Sequence, residues 1–286
     1  MEKIENYIKF KKYNIYYKIV SNTSLSSEVG ILYLHGKNVH SGYLEKIIEP
    51  DSNFIYFSFD NPGQGRSSGS RGNCNIYKHG PQLIKYFIEN IIVQFKIKNL
   101  YIIGESSGAL MGFYFINNYK INVLNIAGII FIPAIFRIKE MESPGKQMAV
   151  SLLNIFFPEL PVKNRTSFSF YTSDENKLKE LSNDKYYGNK ISIRFLYGIH
   201  RFHKYLKRNI HRLNIPVLFI HGKDDHYSGK KDLTAAFRRI KYSINKQIIY
   251  LCKSNHWIMI GEEFTEKKNK IHHWITKIEK ITNAKR

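Results

Sequence analysis

Apolar and polar positions alternate through the first twenty residues: Tyr7, Ile8 and Phe10, then Tyr13, Ile15, Tyr17 and Ile19, around a polar Lys11–Lys12 centre. Period-two alternation on both sides of a short polar turn predicts an opening β-hairpin. After the polar stretch Ser21–Glu28 the pattern changes to short apolar runs that end in glycine or a polar turn. Ile31–Leu34 runs into His35-Gly36, Phe54–Phe59 into Asp60-Asn61-Pro62-Gly63, and Leu100–Ile103 into Gly104. Ile126–Ile132 before Pro133, Val217–Ile220 before His221-Gly222, and Gln247–Leu251 before Cys252 continue the series. Runs of this length with no polar face are what strands buried on both sides in a parallel sheet require.

Helical periods lie between these runs. Leu83, Ile84, Phe87, Ile88, Ile91 and Ile92 recur at three-to-four spacing, as do Ile271, Trp274, Ile275 and Ile278. Strand and helix in repetition predict crossover units, hence an α/β fold with a mostly parallel central sheet and helices on both faces. The rhythm breaks from Phe136 to Asn209, where no strand-then-glycine signal occurs and Ser143-Pro144-Gly145 and Pro158-Glu159-Leu160-Pro161 punctuate a polar stretch. Some 70 residues is too long for a structureless loop in a compact domain. The expected organisation is a core of residues 1–135 and 210–286 with an inserted, mostly helical cap at 136–209.

Composition narrows the class. A hydrophobic content of 43% with 14% aromatic residues in 286 excludes a disordered chain. Two cysteines, Cys74 and Cys252, cannot frame a disulfide scaffold, and no CxxC pair offers a zinc site. The acidic residues near Met1 do not resemble the basic flank of a signal peptide, and no apolar run reaches the roughly 18 residues of a membrane span, so a cytoplasmic protein is expected.

The formal charge of +21 points toward an anionic partner. It is most concentrated from Lys185 to Lys223, which holds nine Lys or Arg and no acid. Within it Ile199, Phe202, Leu206 and Ile210 recur at helical spacing among Arg201, Lys204, Lys207, Arg208 and Arg212, a pattern suited to an amphipathic helix on anionic lipid or simply to a solvated helix face. No nucleic-acid-binding motif accompanies the charge, and no nucleic acid is expected as a partner.

The chemistry is concentrated in Gly104-Glu105-Ser106-Ser107-Gly108, placed directly between the strand Leu100–Ile103 and the helical run Ala109–Tyr119. This is the context of a G-x-S-x-G nucleophile elbow, a strained strand-to-helix turn that presents Ser106 and turns the N–H of Ser107 toward a developing oxyanion. The order that accompanies such an elbow is Ser, then acid, then His. Asp224-Asp225 follows the strand Val217–Ile220, and His256 follows the strand ending at Leu251. Gly36 permits close backbone approach in the loop after Leu34, so the N–H of Lys37 is the expected second oxyanion donor. The loop Asp60–Ser67 is glycine-rich, but it lacks the G-K-[ST] and G-x-G-x-x-G patterns of nucleotide sites.

Taken together, His35-Gly36 with His40-Ser41-Gly42, Asp60 through Arg66 and on to Ser68-Gly69, Gly104–Gly108, Gly222 with Asp225, and His256 resemble the α/β-hydrolase superfamily over nearly the whole chain. The branch they are most similar to is that of monoacylglycerol lipases and lysophospholipase-like serine hydrolases. The resemblance implies an α/β-hydrolase fold, Ser106 as nucleophile, His256 as general base, and the acid three residues beyond Gly222, which is Asp225. It implies a small acyl ester as substrate, a monoacylglycerol or lysophospholipid in the first instance, with a thioester or an N-terminal peptide as alternatives on the same scaffold, and no cofactor or metal. Lys37 stands where the family often has a small residue and Asn38 where it has glycine. The cap resembles the family only loosely; its Leu152, Phe156 and Phe157 are candidates for lining an acyl-chain pocket.

Overall fold

A computed structural model describes residues 2–21, 27–49, 52–133, 135–138, 141, 143–163, 175–223, 225, 228–252, 254 and 256–284. The chain opens with β1 (Glu2–Phe10) and β2 (Tyr13–Ser21), the antiparallel hairpin that the alternation predicts, with Phe10 opposite Tyr13 across the Lys11–Lys12 turn. It continues through β3 (Val29–Leu34), β4 (Ile55–Phe59), α1 (Ile76–Asn90), β5 (Asn99–Glu105), α2 (Ser107–Asn118) and β6 (Asn125–Ile132). Then come α3 (Pro144–Phe156), β7 (Pro161–Lys163), α4 (Glu175–Asn183), β8 (Lys190–Ser192) and α5 (Ile193–Asn209). The chain closes with β9 (Val217–Gly222), α6 (Lys230–Arg239), β10 (Lys246–Leu251), α7 (Glu262–Lys267) and α8 (Asn269–Asn283).

Eight strands form one sheet in the order β1-β2-β4-β3-β5-β6-β9-β10, parallel from β4 onward. Alternation within each strand divides the core in two. Leu32, Leu34, Phe57, Leu100, Ile102, Ile129 and Phe131 face α1, α2 and α5. Ile31, Tyr33, Tyr56, Tyr101, Ile103 and Ile130 face the other way, against Ile271, Trp274, Ile275 and Ile278 of α8. Burial on both faces explains the unbroken apolar runs of β3, β4, β5, β6 and β9, whereas β10, expected to be buried on both sides, is the sheet edge and leaves Lys246 and Gln247 exposed.

Among the described residues between β6 and β9 lie three α-helices and the antiparallel ribbon β7–β8. The helices differ in what they bury. On α5, Phe195, Ile199, Phe202 and Leu206 lie in the same apolar cluster as the sheet, followed by Ile210. Of the two readings of this helix, docking on lipid or a solvated charged face, the packing fits the second, because the apolar face is turned inward. Withdrawing any one of these side chains would forfeit about 1.5–3 kcal/mol of burial, so only the cations Arg201, Lys204, Lys207 and Arg208 remain outside. On α3, by contrast, no residue is buried, and Met148, Leu152, Ile155 and Phe156 are exposed. Among the described residues no helix is long and apolar enough to cross a membrane.

Candidate active site

β5 ends at Glu105 and α2 begins at Ser107, leaving Ser106 alone at the turn with φ 51° and ψ −115°. A side chain other than glycine in this region costs on the order of 1–3 kcal/mol and persists only where its surroundings impose it. The surroundings here are close. A Cβ on Gly104 would stand 2.3 Å from Ala109 Cα, and one on Gly108 would stand 2.1 Å from the Leu34 carbonyl oxygen. Helix and strand can therefore meet only if both positions lack side chains, and the Ser106 N–H donates to the Ile132 carbonyl at 3.1 Å to hold the turn against β6.

Two loops from the far half of the sheet converge on this serine. Ser106 Oγ lies 3.0 Å from His256 Nε2, and His256 Nδ1 lies 3.1 and 3.0 Å from the two carboxylate oxygens of Asp225. The Asp225 side chain is fully buried, at the end of the turn that follows β9. Its neighbour Asp224, and Lys253 and Asn255 before the histidine, lie outside the described residues. A second histidine backs the acid: His221 Nε2 donates to the Ser228 carbonyl at 2.6 Å, which leaves Nδ1 facing Asp225 at 3.8 Å. Burial pushes the His221 imidazole down, toward its neutral form.

The loop after β3 covers the serine from the opposite side. A Cβ built on Gly36 would lie 3.3 Å from Ser106 Cβ, the close approach expected of an oxyanion loop. Among the described residues the Lys37 N–H has no hydrogen-bond partner. Ser107 is the first residue of α2, so its N–H has no acceptor within the helix. Asn38, in the place where glycine is usual, takes φ 67°, a left-handed conformation that a short polar side chain tolerates.

Buried polar groups hold this loop. His35 Nδ1 donates to the Gly36 carbonyl at 2.8 Å while Nε2 accepts from the Asn61 N–H at 3.0 Å, and burial keeps the ring neutral. Asp60 accepts from the N–H of Ser41 at 2.6 Å and of Arg66 at 2.7 Å. The glycine-rich loop 60–66 thus spends its donors on its own carboxylate and on bracing its neighbour, which accounts for its glycines without a phosphate. From the segment after α4, Asp184 accepts from His40 Nε2 at 2.9 Å and the Gly188 N–H donates to the Asn38 carbonyl at 2.8 Å.

Ser106, Asp225, His256, Lys37 and Ser107, the residues expected from the sequence, come together in the structure. It leaves Leu152, Phe156 and Phe157 exposed at the surface. His221, Trp257 and Glu105 were passed over. The first reads as a strand end and the second as one more apolar residue, but Glu105 carried a usable signal, an acid at the end of an otherwise apolar strand.

Sheet order, elbow and converging loops define an α/β-hydrolase. Residues 27–263 match the family described as Serine aminopeptidase, S33 (Hydrolase_4), and the chain belongs to that family of hydrolytic enzymes. An uncharacterized abhydrolase domain-containing protein of Dictyostelium discoideum is 24% identical over 262 residues, 89% of this chain and 27% of that protein. Phospholipase YtpA of Bacillus subtilis (strain 168) is 23% identical over 167 residues, 58% of this chain and 63% of its own length. The chain therefore spans about a quarter of one curated relative and under two thirds of the other. In fold it is similar to a soluble variant of monoglyceride lipase from Saccharomyces cerevisiae in complex with a substrate analog, with TM-score 0.82 at 21% identity, covering 96% of this chain and 94% of that one.

Proposed function

We propose that the protein is a serine esterase that cleaves monoacylglycerol or lysophospholipid-type acyl esters through an acyl-enzyme. The observation that carries this reading is the hydrogen-bonded series from Ser106 Oγ through His256 to the buried Asp225 carboxylate. His256 Nε2 accepts the Ser106 proton as Oγ attacks the ester carbonyl, and Asp225 holds the imidazole in the tautomer with Nδ1 protonated and stabilises the imidazolium. The N–H groups of Lys37 and Ser107 receive the oxyanion, and His256 returns the proton to the leaving alcohol. Water then enters by the same route, losing its proton to His256 as it attacks the acyl-enzyme, and the acid leaves as Ser106 is restored.

Two observations favour an ester over an N-terminal peptide. An aminopeptidase needs a carboxylate turned to the substrate amine, whereas among the described residues Asp225, Glu105 and Asp184 around this site each face donors of the protein itself. The acyl-lipid class is supported by the fold likeness to the yeast monoglyceride lipase and by the phospholipase-named relative. Residues 136–209 act as the cap, with α5 as its base on the sheet and α3 as the element that meets lipid: the exposed apolar stripe of α3, not the buried one of α5, enters an anionic membrane surface while the cations of α5 supply attraction.

The test is Ser106→Ala against a fluorophosphonate probe and a series of acyl esters, thioesters and aminoacyl amides. Loss of labelling and of ester hydrolysis together is expected. A variant that labels at the wild-type rate would overturn the assignment of the nucleophile, and a wild-type preference for amides with a free amine would overturn the ester class.

A further inference from the structure

A cavity of about 420 Å³ lies between α1, α2, α3 and α5, and none of Ser106, Asp225, His256 or the Gly36–Lys37 loop lines it. Its volume falls in the range of pockets that hold small molecules. Gly198 of α5 forms part of the wall and has no room for a side chain, because a Cβ there would stand 2.7 Å from Ile76 Cγ2 on α1.

Among the described residues the wall carries cations and no acid: Lys78 from α1, with Arg194 and Arg201 about two turns apart on α5. Glu159 pairs with Arg194 at 3.1 Å and offsets one of the three. Lys78 and Arg201 have no acidic partner among the described residues. Uncompensated like charges on a concave surface raise the local potential and draw an anion in. The cavity also opens on the first turn of α1, where Asn75 Oδ1 accepts from the Lys78 N–H at 3.2 Å, so the positive end of that helix adds to the same potential.

Arg201 is held in place. Its guanidinium carbon lies 4.0 Å from the centroid of the Tyr77 ring, which packs in turn on Tyr114 at 4.9 Å. Stacking fixes the plane of the guanidinium and leaves its edge N–H groups for an acceptor, and a planar fork beside an ammonium matches the oxygens of a phosphate. The remaining wall is rich in amides and phenols, Gln82, Asn154 and Tyr197 among them, which suit hydroxyl groups better than an acyl chain.

We propose that this cavity binds a phosphate ester of a small polyol, either free or as the headgroup of a lipid. The site is separate from the triad and stands whether or not the esterase reading does. Asn154 brings α3 into the wall, and the apolar stripe of the same helix is exposed, so a headgroup at a membrane surface would have access to the cavity. The proposal also gives a use to Arg194 and Arg201 within the acid-free stretch Lys185–Lys223.

Isothermal titration calorimetry with sn-glycerol 3-phosphate tests the free ligand, and cosedimentation with phosphatidylcholine vesicles carrying lysophosphatidic acid tests the headgroup. Arg201→Gln and Lys78→Gln each remove one charge-assisted contact at an exposed position, and each is expected to weaken binding about 10- to 100-fold. Lys277→Gln, an equal loss of charge on α8 across the sheet, is expected to leave binding within about twofold of the wild type. This pattern with the soluble phosphate supports a free ligand, and the pattern on vesicles alone supports a headgroup. Absence of binding to both probes overturns the site. Binding that Arg201→Gln and Lys78→Gln leave unchanged overturns it too, as does equal weakening by all three substitutions, which would mark diffuse attraction to a basic surface.

Discussion

Phe156 and Ile155 on α3 are each 69% exposed, with Met148 at 64% and Leu152 at 49% on the same stripe, spaced three and four residues apart. A phenylalanine side chain presents roughly 200 Å² when free, so Phe156 offers roughly 140 Å² to a second phase. At about 25 cal/mol per Å², full transfer would be worth about 3.5 kcal/mol, and burial of half that area in the interface about 1.7 kcal/mol. Ile155 adds about 1 kcal/mol on the same basis. The double substitution Ile155→Ser with Phe156→Ser should therefore weaken partitioning by roughly 30- to 100-fold, since about 1.4 kcal/mol is tenfold. Cosedimentation with phosphatidylcholine vesicles, with and without phosphatidylglycerol, reads this directly. The wild type should bind the anionic vesicles better and release as salt rises, because attraction by Lys204, Lys207 and Arg208 is screened. The double variant should melt with the wild type, as exposed sites seldom shift stability by more than about 0.5 kcal/mol. Partitioning of the variant within twofold of the wild type would refute the docking role of α3.

Two further outcomes follow from the buried histidines and the acid. Asp225→Asn should lower kcat on the order of 10⁴-fold by favouring the wrong His256 tautomer, while Asp224→Asn should leave it near the wild type; the reverse order in steady-state kinetics would reassign the acid. His272, buried against the Tyr56 hydroxyl at 2.8 Å, has its pKa lowered from 6.5 to about 4 by burial. The unfolded chain then binds more protons, so its contribution is complete above about pH 6.5 and falls as pH drops toward 4. About 2 kcal/mol should be lost by pH 5 and about 3 in all. Urea unfolding at about pH 7 and about pH 5 measures it, and a His272→Phe variant with an equally steep loss would show that another group is responsible.

Much of the architecture was legible in the chain. The hairpin, the six further strands of the large sheet and the helices α1, α2 and α8 follow from apolar runs, period-two and period-3.6 patterns, because a strand covered on both faces carries few polar positions. The elbow was legible for a local reason as well: Gly104 and Gly108 sit where any Cβ would collide with Ala109 or with the Leu34 carbonyl. Less legible was the stretch 136–209. Its two apolar helical patterns look alike in sequence, yet α5 packs on the sheet and α3 does not, since apolar spacing specifies that a face exists and not what covers it.

Sequence alone singled out Ser106 as the candidate nucleophile and gave the order of the candidate serine, acid and base, because motif glycines and strand ends are local properties of the chain. Only the tertiary structure decided that Asp225 and His256 reach the serine from 119 and 150 residues away, and that α3 rather than α5 offers an apolar face. Such contacts depend on how the sheet orders its strands and on which surfaces the helices cover, and neither is written in the spacing of residues along any one element.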